Sequence, residues 1–452
     1  MQWSDIEKAC LGKASTIKDF KIKSVSTDTR NLKEGDVFVA LVGPTFNGHN
    51  FIEQAISLGA SAIVCSETPP NCAVPFILVE NTQDAYGKIA RYYREIVWGQ
   101  TIVGITGSVG KTSTKEMLYT VLSKSKNTQC TFKNENNEIG VPKTLLGLNH
   151  GTEVGIIEMG ACHPGDISHL VGIAEPNISI VTACAPVHIE FYPDLESIAR
   201  EKGQIYSRLS STGIAIINID DPFYPLWHKM AQGQILTFGL TETADVKGTI
   251  IEASAVSTTF LVAYKNSSEE ITLHVPGKHM VSNALSVISC ALSLGLTLPE
   301  IKIGLESYRT TAGRLKLYIL DNNALFIDDA YNANPTSVKA AIDVLVLQDR
   351  RKKWLVLGNM TELGEFASSG HKEIGKYAKS KGVDTLLGVG ELAKIACESF
   401  GSGALSFVDN ESLIAYLDEH LTEDVCCLVK GSCASKTYGI VTAILDKQGA
   451  EA

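Results

Sequence analysis

Short apolar runs alternate along this chain with segments whose apolar residues recur at helical spacing, the pattern of strands covered by helices. In the first stretch, 1–98, the runs are "DVFVALVG" and "SAIVCS", with a helix expected at "NFIEQAISLGA" between them, so this part reads as a small α/β domain. A second stretch, 99–311, opens on "TIVGIT" and carries further strand-like runs at "VGIIEM", "ISIVTA" and "GIAIINI", with a late helix at "LSVISCALSLGL". Runs this apolar, with helices between them, predict a mostly parallel sheet buried on both faces. The third stretch, 312–452, begins near "AGRLKLYIL". Its further strands are "ALFIDDA", "KWLVLGN", "DTLLGVG" and "DVCCLVKG", with helices at "SVKAAIDVL" and "HKEIGKYAKS", a Rossmann-like alternation. The expected fold class is α/β in three domains, within the two to four that 452 residues imply.

One junction between strand and helix carries chemistry. In "GITGSVGKTSTKEML", Gly104–Leu118, the usual phosphate-loop spacing G-x-x-x-x-G-K-[ST] would put the first glycine at Ile105, yet the glycine is Gly107. The chemical parts are nevertheless present. Glycines let backbone N–H groups turn inward, a lysine meets the outer phosphates, a hydroxyl ligates magnesium, and the helix adds its positive end. Gly107, Ser108, Val109, Gly110, Lys111, Thr112 and Ser113 are therefore the candidate nucleotide cradle, and the central domain the candidate P-loop ATPase domain. The bland alternative is a glycine-rich turn with a solvated lysine. Glu158 ends the apolar run "VGIIEM", where a Walker-B-like acid would stand. By itself it is equally an ordinary strand-end carboxylate. His188, after the next run, would by itself be a structural or exposed histidine. Parallel strands gather their ends along one edge, so the loop, Glu158 and His188 are expected to converge. "GVGELA", Gly388–Ala393, matches a dinucleotide fingerprint but lacks its usual surroundings.

Composition narrows the partners. A formal net charge of -10 argues against a nucleic-acid backbone, while a small phosphorylated ligand needs only a local pocket of amides and cations. The start, "MQWSDIEKACLGK", has no apolar core, and no run approaches the roughly 20 apolar residues that cross a bilayer. The 11 cysteines are odd in number and form no C-x-x-C, which suits reduced thiols. The expectation is a cytoplasmic monomer without membrane insertion.

"TGSVGKTST", "NENNEIGVP", "EMG", "VHIE", "AREKGQI", "DDAYNANPTS" and "KGS" follow one another here in the order of the Mur ligases, and the chain resembles that family from Thr27 to Ser432. The shortened loop spacing is the family's own form. "STDTR", "DDAYNANPTS" and "KGS" are most similar to the members that join D-alanyl-D-alanine to UDP-N-acetylmuramoyl-tripeptide. The resemblance implies amide-bond formation driven by ATP through an acyl phosphate, and a third peptide residue that is meso-diaminopimelate or L-lysine. It implies two Mg2+ ions, with Thr112 and Glu158 on one and His188 on the other. Lys202, read alone a solvated helix lysine, falls where the family carries a carbamylated lysine, which makes Lys111, Lys202, His188 and Glu158 the implied catalytic set. Asn283 resembles an adenine contact, and Arg314 and Asp329 resemble the third domain's contacts to ATP. Tyr331, Asn332 and Asn334 are implied for the dipeptide, with "GNMTELGE" near them. Asn134, Asn136 and Asn137 would line the site beside the phosphate loop. Thr27, Asp28, Thr29 and Arg30, with Asn47 and His49, resemble the site for the uridine-diphosphate sugar. Ala183, Asn47, Met280 and Cys433 depart from the family pattern, where asparagine, aspartate, asparagine and a cation are common. Rival readings are a ligase for the third amino acid, a folylpolyglutamate synthetase, a nucleotide switch and a kinase. "YNANP" argues against the first two, and the lack of N-K-x-D against a guanine-specific switch.

Overall fold

In the computed structural model, which describes residues 1–15, 19–70, 72–348 and 352–451, three sheets follow one another along the chain. The first has five strands, ordered Lys13–Ala14, Phe76–Leu78, Ala62–Cys65, Val37–Val39 and Val25–Ser26. All neighbours pair parallel except the first two, and every residue of Val37–Val39 and Ala62–Cys65 is buried.

The central sheet has nine strands. It is parallel from Thr128–Cys130 through Val154–Glu158, Thr101–Thr106, Ile178–Val181, Ile214–Asn218 and Gln234–Gly239 to Val246–Ala253. Thr101–Thr106 comes first in sequence but lies inside the sheet, because the chain builds outward on one side and then returns to the other. That reversal opens a crevice at the carboxyl ends of the strands, the place where open α/β sheets bind ligands. The expectation of a mostly parallel sheet meets one addition: Thr258–Tyr264 and Ser267–Leu273 extend the edge as an antiparallel meander. Its alternation of buried and open positions, as in "TTFLVAY", marks a surface packed on one side only. The helix Lys278–Ser293 packs beneath it and starts earlier than the apolar run "LSVISCALSLGL" suggests, since polar residues Lys278, His279, Ser282 and Asn283 interrupt its first two turns.

The third sheet has seven strands, parallel from Ala404–Phe407 through Thr385–Val389, Lys352–Gly358 and Val425–Lys430 to Leu325–Asp329. Lys316–Leu320 and the terminal Ala450–Glu451 close it antiparallel. Its reversal lies between Lys352–Gly358 and Val425–Lys430. "GVGELA" does join a strand to the helix Glu391–Phe400, but Asn359 Oδ1 already accepts from the amides of Leu392 and Ala393 at 3.1 and 3.0 Å. The helix start is thereby capped by the protein itself. Beside it, His371 Nε2 accepts from the Met360 amide at 2.9 Å and fixes the turn after Lys352–Gly358.

The sheets are tied together by specific bonds. Arg94 caps the helix Asp166–Ala174 through the carbonyls of Ala174 and Glu175 at 3.0 and 2.9 Å, joining first and central domains. Gln348 donates to the Ala255 carbonyl at 2.9 Å, joining central and third. None of the eleven cysteines forms a disulfide, and no helix among the described residues is long and apolar enough to cross a membrane.

Trp227 is fully buried, donates to the Ala199 carbonyl at 2.8 Å, and supports the helix Leu195–Gly203 that carries Lys202. Trp227→Ala removes this support and is expected to cost about 3–5 kcal/mol. The central domain's urea midpoint should fall accordingly; an unchanged midpoint would contradict the packing described.

Candidate active site

A cavity of about 790 Å³ lies at the carboxyl edge of the central sheet and is closed from above by the third domain. Its floor is the loop Gly107–Gly110, and two glycines explain how the loop fits. Gly107 has φ 146°, and a Cβ there would stand 2.0 Å from Thr182 Oγ1. Gly110 has φ 85°, and a Cβ would stand 2.7 Å from Asn283 Oδ1. Only a chain without side chains at both points passes between these neighbours. The loop is clipped to the next strand end: Thr182 Oγ1 donates to the Val109 carbonyl at 2.5 Å, and Ser108 donates its amide to Ala183 and its hydroxyl to Ala185. At Ala183 the bond uses the backbone, so the alanine found there leaves the clip intact.

Lys111 opens the helix Lys111–Leu122 and folds back so that Nζ donates to the Gly107 carbonyl at 2.6 Å. It keeps some contact with solvent through the cavity, yet desolvation by the surrounding atoms pulls its pKa below the usual lysine range. Glu158 raises it and Arg314 lowers it further. Thr112 Oγ1 lies 3.4 Å from Glu158 Oε1, and Arg314 Nη2, from the third domain, donates to the same hydroxyl at 3.3 Å. Glu158 is buried. Its Oε1 accepts from Asn136 Nδ2 at 2.8 Å, while Oε2 has no hydrogen-bond partner, Lys115 Nζ being 3.9 Å away. A buried carboxylate oxygen left in this state is a strong acceptor waiting for a cation or donor.

The second cluster is built from Lys202 and His188. Lys202 is 3% exposed, and Nζ donates to the Ala161 carbonyl at 3.2 Å. Burial, and then the charge of Lys111, bring its pKa down to about 7. His188 has φ 56° and half-buried geometry; burial, then Lys202 and Lys111, lower its pKa to about 4, so it is a neutral imidazole. Its Nδ1 is 2.7 Å from Glu362 Oε2 of the third domain, without the alignment a hydrogen bond needs, and its Nε2 is 4.0 Å from Cys162 Sγ.

On the third-domain side, the Arg314 guanidinium stacks on the Tyr331 ring at 3.9 Å. Asp329 is buried and paired with Lys430, whose Nζ lies 2.5 Å from Oδ2 and also donates to the Asn332 carbonyl at 3.0 Å. Asn283 lines the cavity, its amide directed at Met280 Sδ at 3.8 Å. Several predicted residues have local duties. Asn334 caps the helix Pro335–Val346 through the Ser337 amide at 2.9 Å, and Asn137 Oδ1 accepts from Gly140 at 3.0 Å. Asn134 and Asn332 line the cavity as well, with Asn332 Oδ1 accepting from the Ala333 amide.

The first-domain residues expected for the sugar nucleotide, Thr27, Asp28, Thr29, Arg30, Asn47 and His49, do not line this cavity. Arg30 is exposed and forms a fork with Asp28, its Nε and Nη2 at 2.9 and 2.7 Å from the carboxylate. Thr29 donates to Gln54, while Thr27 lies between them and Val25–Ser26. Asn47 Oδ1 accepts from His49 N and faces Nδ1 at 2.9 and 2.8 Å, and His49 Nε2 accepts from the Ser66 amide. The proton therefore sits on Nδ1, and the pair latches the turn after Phe46–Asn47 to the end of Ala62–Cys65.

Sequence reasoning did not single out Lys115, Lys430 or Glu362. Lys115 is fully buried, donates to the carbonyls of Thr131 and Lys133 at 2.8 Å each, and braces Glu158. The available signal was its position four residues after Lys111, on the same helix face. Lys430 and Glu362 lie in quoted strings, but their partners Asp329 and His188 are far away in sequence, an approach that no local pattern reveals.

Comparisons with known proteins match the same architecture. Family models match residues 21–94 (Mur ligase family, catalytic domain), 105–291 (Mur ligase middle domain) and 313–433 (Mur ligase, glutamate ligase domain). The UDP-N-acetylmuramoyl-tripeptide--D-alanyl-D-alanine ligase of Escherichia coli K12 is 36% identical over 94% of both chains. A crystal structure of MurF from Acinetobacter baumannii is 31% identical, covers 99% of each chain and superposes with a TM-score of 0.92. MurF ligase from Thermotoga maritima, solved in complex with ADP, is 28% identical over 94% of this chain and 97% of that one, with a TM-score of 0.83.

Gly107→Ala forces its Cβ against Thr182 and should distort the cradle by about 1–3 kcal/mol. Calorimetric titration should show ATP affinity reduced by roughly tenfold, with the circular-dichroism spectrum retained. Unchanged affinity would show that the loop accepts a side chain at this point.

Proposed function

The chain belongs to the Mur ligase family, and from that premise we propose that it joins D-alanyl-D-alanine to UDP-N-acetylmuramoyl-tripeptide. The products are the UDP-linked pentapeptide, ADP and phosphate, and the reaction belongs to peptidoglycan precursor synthesis. The observation that carries the reading is the meeting at Thr112 of the central domain's Glu158 and the third domain's Arg314, 3.4 and 3.3 Å away. Phosphoryl chemistry at a loop covered by a second domain needs this arrangement.

A carboxylate and an amine do not condense in water, because oxide is too poor a leaving group. In the proposed reaction the terminal carboxylate of the tripeptide attacks the γ-phosphorus of ATP. A carbon-bound oxygen-to-phosphorus bond forms as the bond to ADP breaks. The amine of the dipeptide then adds to the acyl carbon, loses a proton, and phosphate departs. Lys111 and the amides of Gly107, Ser108, Val109, Gly110, Thr112 and Ser113 hold the phosphates. Arg314 offsets charge on the transferring group, and its stacking on Tyr331 links that contact to closure of the third domain, which excludes water from the acyl phosphate.

The donor set suits divalent ions. Magnesium keeps waters and substrate phosphate oxygens and takes few protein ligands. That fits a site made of Thr112 and the unpartnered Glu158 Oε2, with no group of three or more histidine, cysteine or acidic residues among the described residues. Bound there, magnesium would supply positive charge to the phosphate oxygens. Lys202 is suited to carbamylation: the reaction needs a neutral amine, and burial supplies one near neutral pH. The resulting anion would stand with neutral His188 as an oxygen and nitrogen donor pair for a second ion. Asn283 is assigned to adenine. Asp329 goes to the ribose hydroxyls through the oxygen not held by Lys430. Tyr331, Asn332 and Asn334 are assigned to the dipeptide, and Asn134, Asn136 and Asn137 to the reacting peptide end. Thr27, Asp28, Thr29, Arg30, Asn47 and His49 are assigned to the uridine-diphosphate sugar, which gives residues 1–98, 99–311 and 312–452 sugar-nucleotide, ATP and dipeptide duties.

Three outcomes test this. Incubation with ATP, magnesium, UDP-N-acetylmuramoyl-tripeptide and D-alanyl-D-alanine should give the pentapeptide by mass spectrometry; phosphate release without it would contradict the reading. Lys111→Ala should keep its fold and lose about 10³-fold or more in turnover. Lys202→Ala should lose activity that short-chain carboxylic acids partly restore; wild-type rates in plain buffer would rule out the carbamate.

A further inference from the structure

The phosphate loop and the third domain form two walls of the cavity. A further wall comes from the first domain. Gln83 and Asp84, in the first turn of the helix Thr82–Tyr92, line the cavity together with His163, Asp166 and His169. The helix is held firmly in place. Asn81 Oδ1 accepts from the amides of Gln83 and Asp84 at 2.8 and 3.1 Å, and a Cβ on Gly87 would stand 3.1 Å from Ile173. Arg91, in its last turn, pairs with Glu175.

The groups on this wall differ in how committed they are. Asp166 Oδ2 accepts from the amides of Cys162 and His163 at 2.9 and 2.8 Å, and His163 packs against the Phe191 ring at 4.5 Å. The side chains of Gln83 and Asp84 make no hydrogen bond or ion pair among the described residues, and Asp84 is exposed. In the proposed reaction the terminal carboxylate of the tripeptide lies at Lys111, and the sugar nucleotide approaches from the first domain. The side chain of the third peptide residue leaves the carbon next to that carboxylate, within reach of the cavity walls, and Gln83 and Asp84 form the wall on the side of the sugar-nucleotide domain.

Resting on that reading, we propose that Asp84, with Gln83 beside it, recognises the side-chain ammonium of a diamino acid at the third position of the peptide. Asp84 thereby sets which tripeptides the chain accepts. L-lysine and diaminopimelate both carry this ammonium. Diaminopimelate adds a carboxylate, and His163 and His169 are the groups on the same wall that could donate to it.

The test compares kcat/KM for UDP-muramoyl tripeptides ending in L-lysine, meso-diaminopimelate and L-norleucine, which lacks the ammonium, in wild type, Asp84→Asn and Asp84→Lys. The ratio of the better diamino-acid substrate to the norleucine substrate should fall about fivefold in Asp84→Asn, the upper range for a partly exposed charge pair, and further in Asp84→Lys. The change should lie in KM. Loss confined to one diamino acid supports the proposal and names the natural third residue. An equal ratio in all three proteins overturns the proposal while leaving the ligase reading in place. Failure of wild type to extend any of the tripeptides overturns both.

Discussion

Like charges gathered in a partly dry space govern this site. Lys111, Lys202 and Arg314 stand near one another at the end of the parallel sheet; beyond burial, the charge of Lys111 presses the Lys202 pKa downward and that of Arg314 presses the Lys111 pKa downward. Glu158 is the buried anion among them, and one of its oxygens is left without a hydrogen bond. Such an arrangement is unfavourable for folding taken alone. In the proposed reaction it becomes favourable when the polyanionic nucleotide enters, because the cations then face the charge that develops during phosphoryl transfer. The fold tolerates the strain because the surrounding strands Thr101–Thr106 and Val154–Glu158 are buried along almost their whole length.

The same constraint explains why three domains are needed. The central sheet supplies the loop, Glu158, His188 and Lys202, but its crevice is open above. The third domain covers it with Arg314 at Thr112 and Glu362 at His188, two contacts made by separate segments. The buried Lys430–Asp329 pair fixes the turn Ala330–Asn332 that carries Tyr331, the residue on which Arg314 stacks. The first domain adds the helix start at Gln83 and Asp84, which forms a further wall of the cavity.

Much of this was legible in the residues. The apolar runs located the parallel strands, and the glycine, lysine and threonine of the shortened loop located the phosphate floor, because both depend on local chemistry. The antiparallel meander Val246–Leu273 was not legible, since its polar alternation resembles a solvent-facing loop until a helix is placed beneath it. Lys202 was unreadable by composition alone, because an amphipathic helix with Arg200 and Lys202 suggests a solvated face; only packing shows that one of the two points inward. Asn137 and Asn334 line the cavity as expected and also hold helix starts, Asn334 as the cap of Pro335–Val346 and Asn137 through the Gly140 amide, a duty asparagine commonly takes. Glu362 depends on tertiary approach and carried no signal of its own, while Lys115 offered only its spacing from Lys111.

The claim on which the rest depends is that the cationic cavity activates a carboxylate by moving a phosphoryl group onto it. The direct measurement uses tripeptide substrate whose terminal carboxylate carries 18O. If the account is right, one labelled oxygen appears in the inorganic phosphate released for each pentapeptide formed. Phosphate free of label, with pentapeptide still produced, would contradict it.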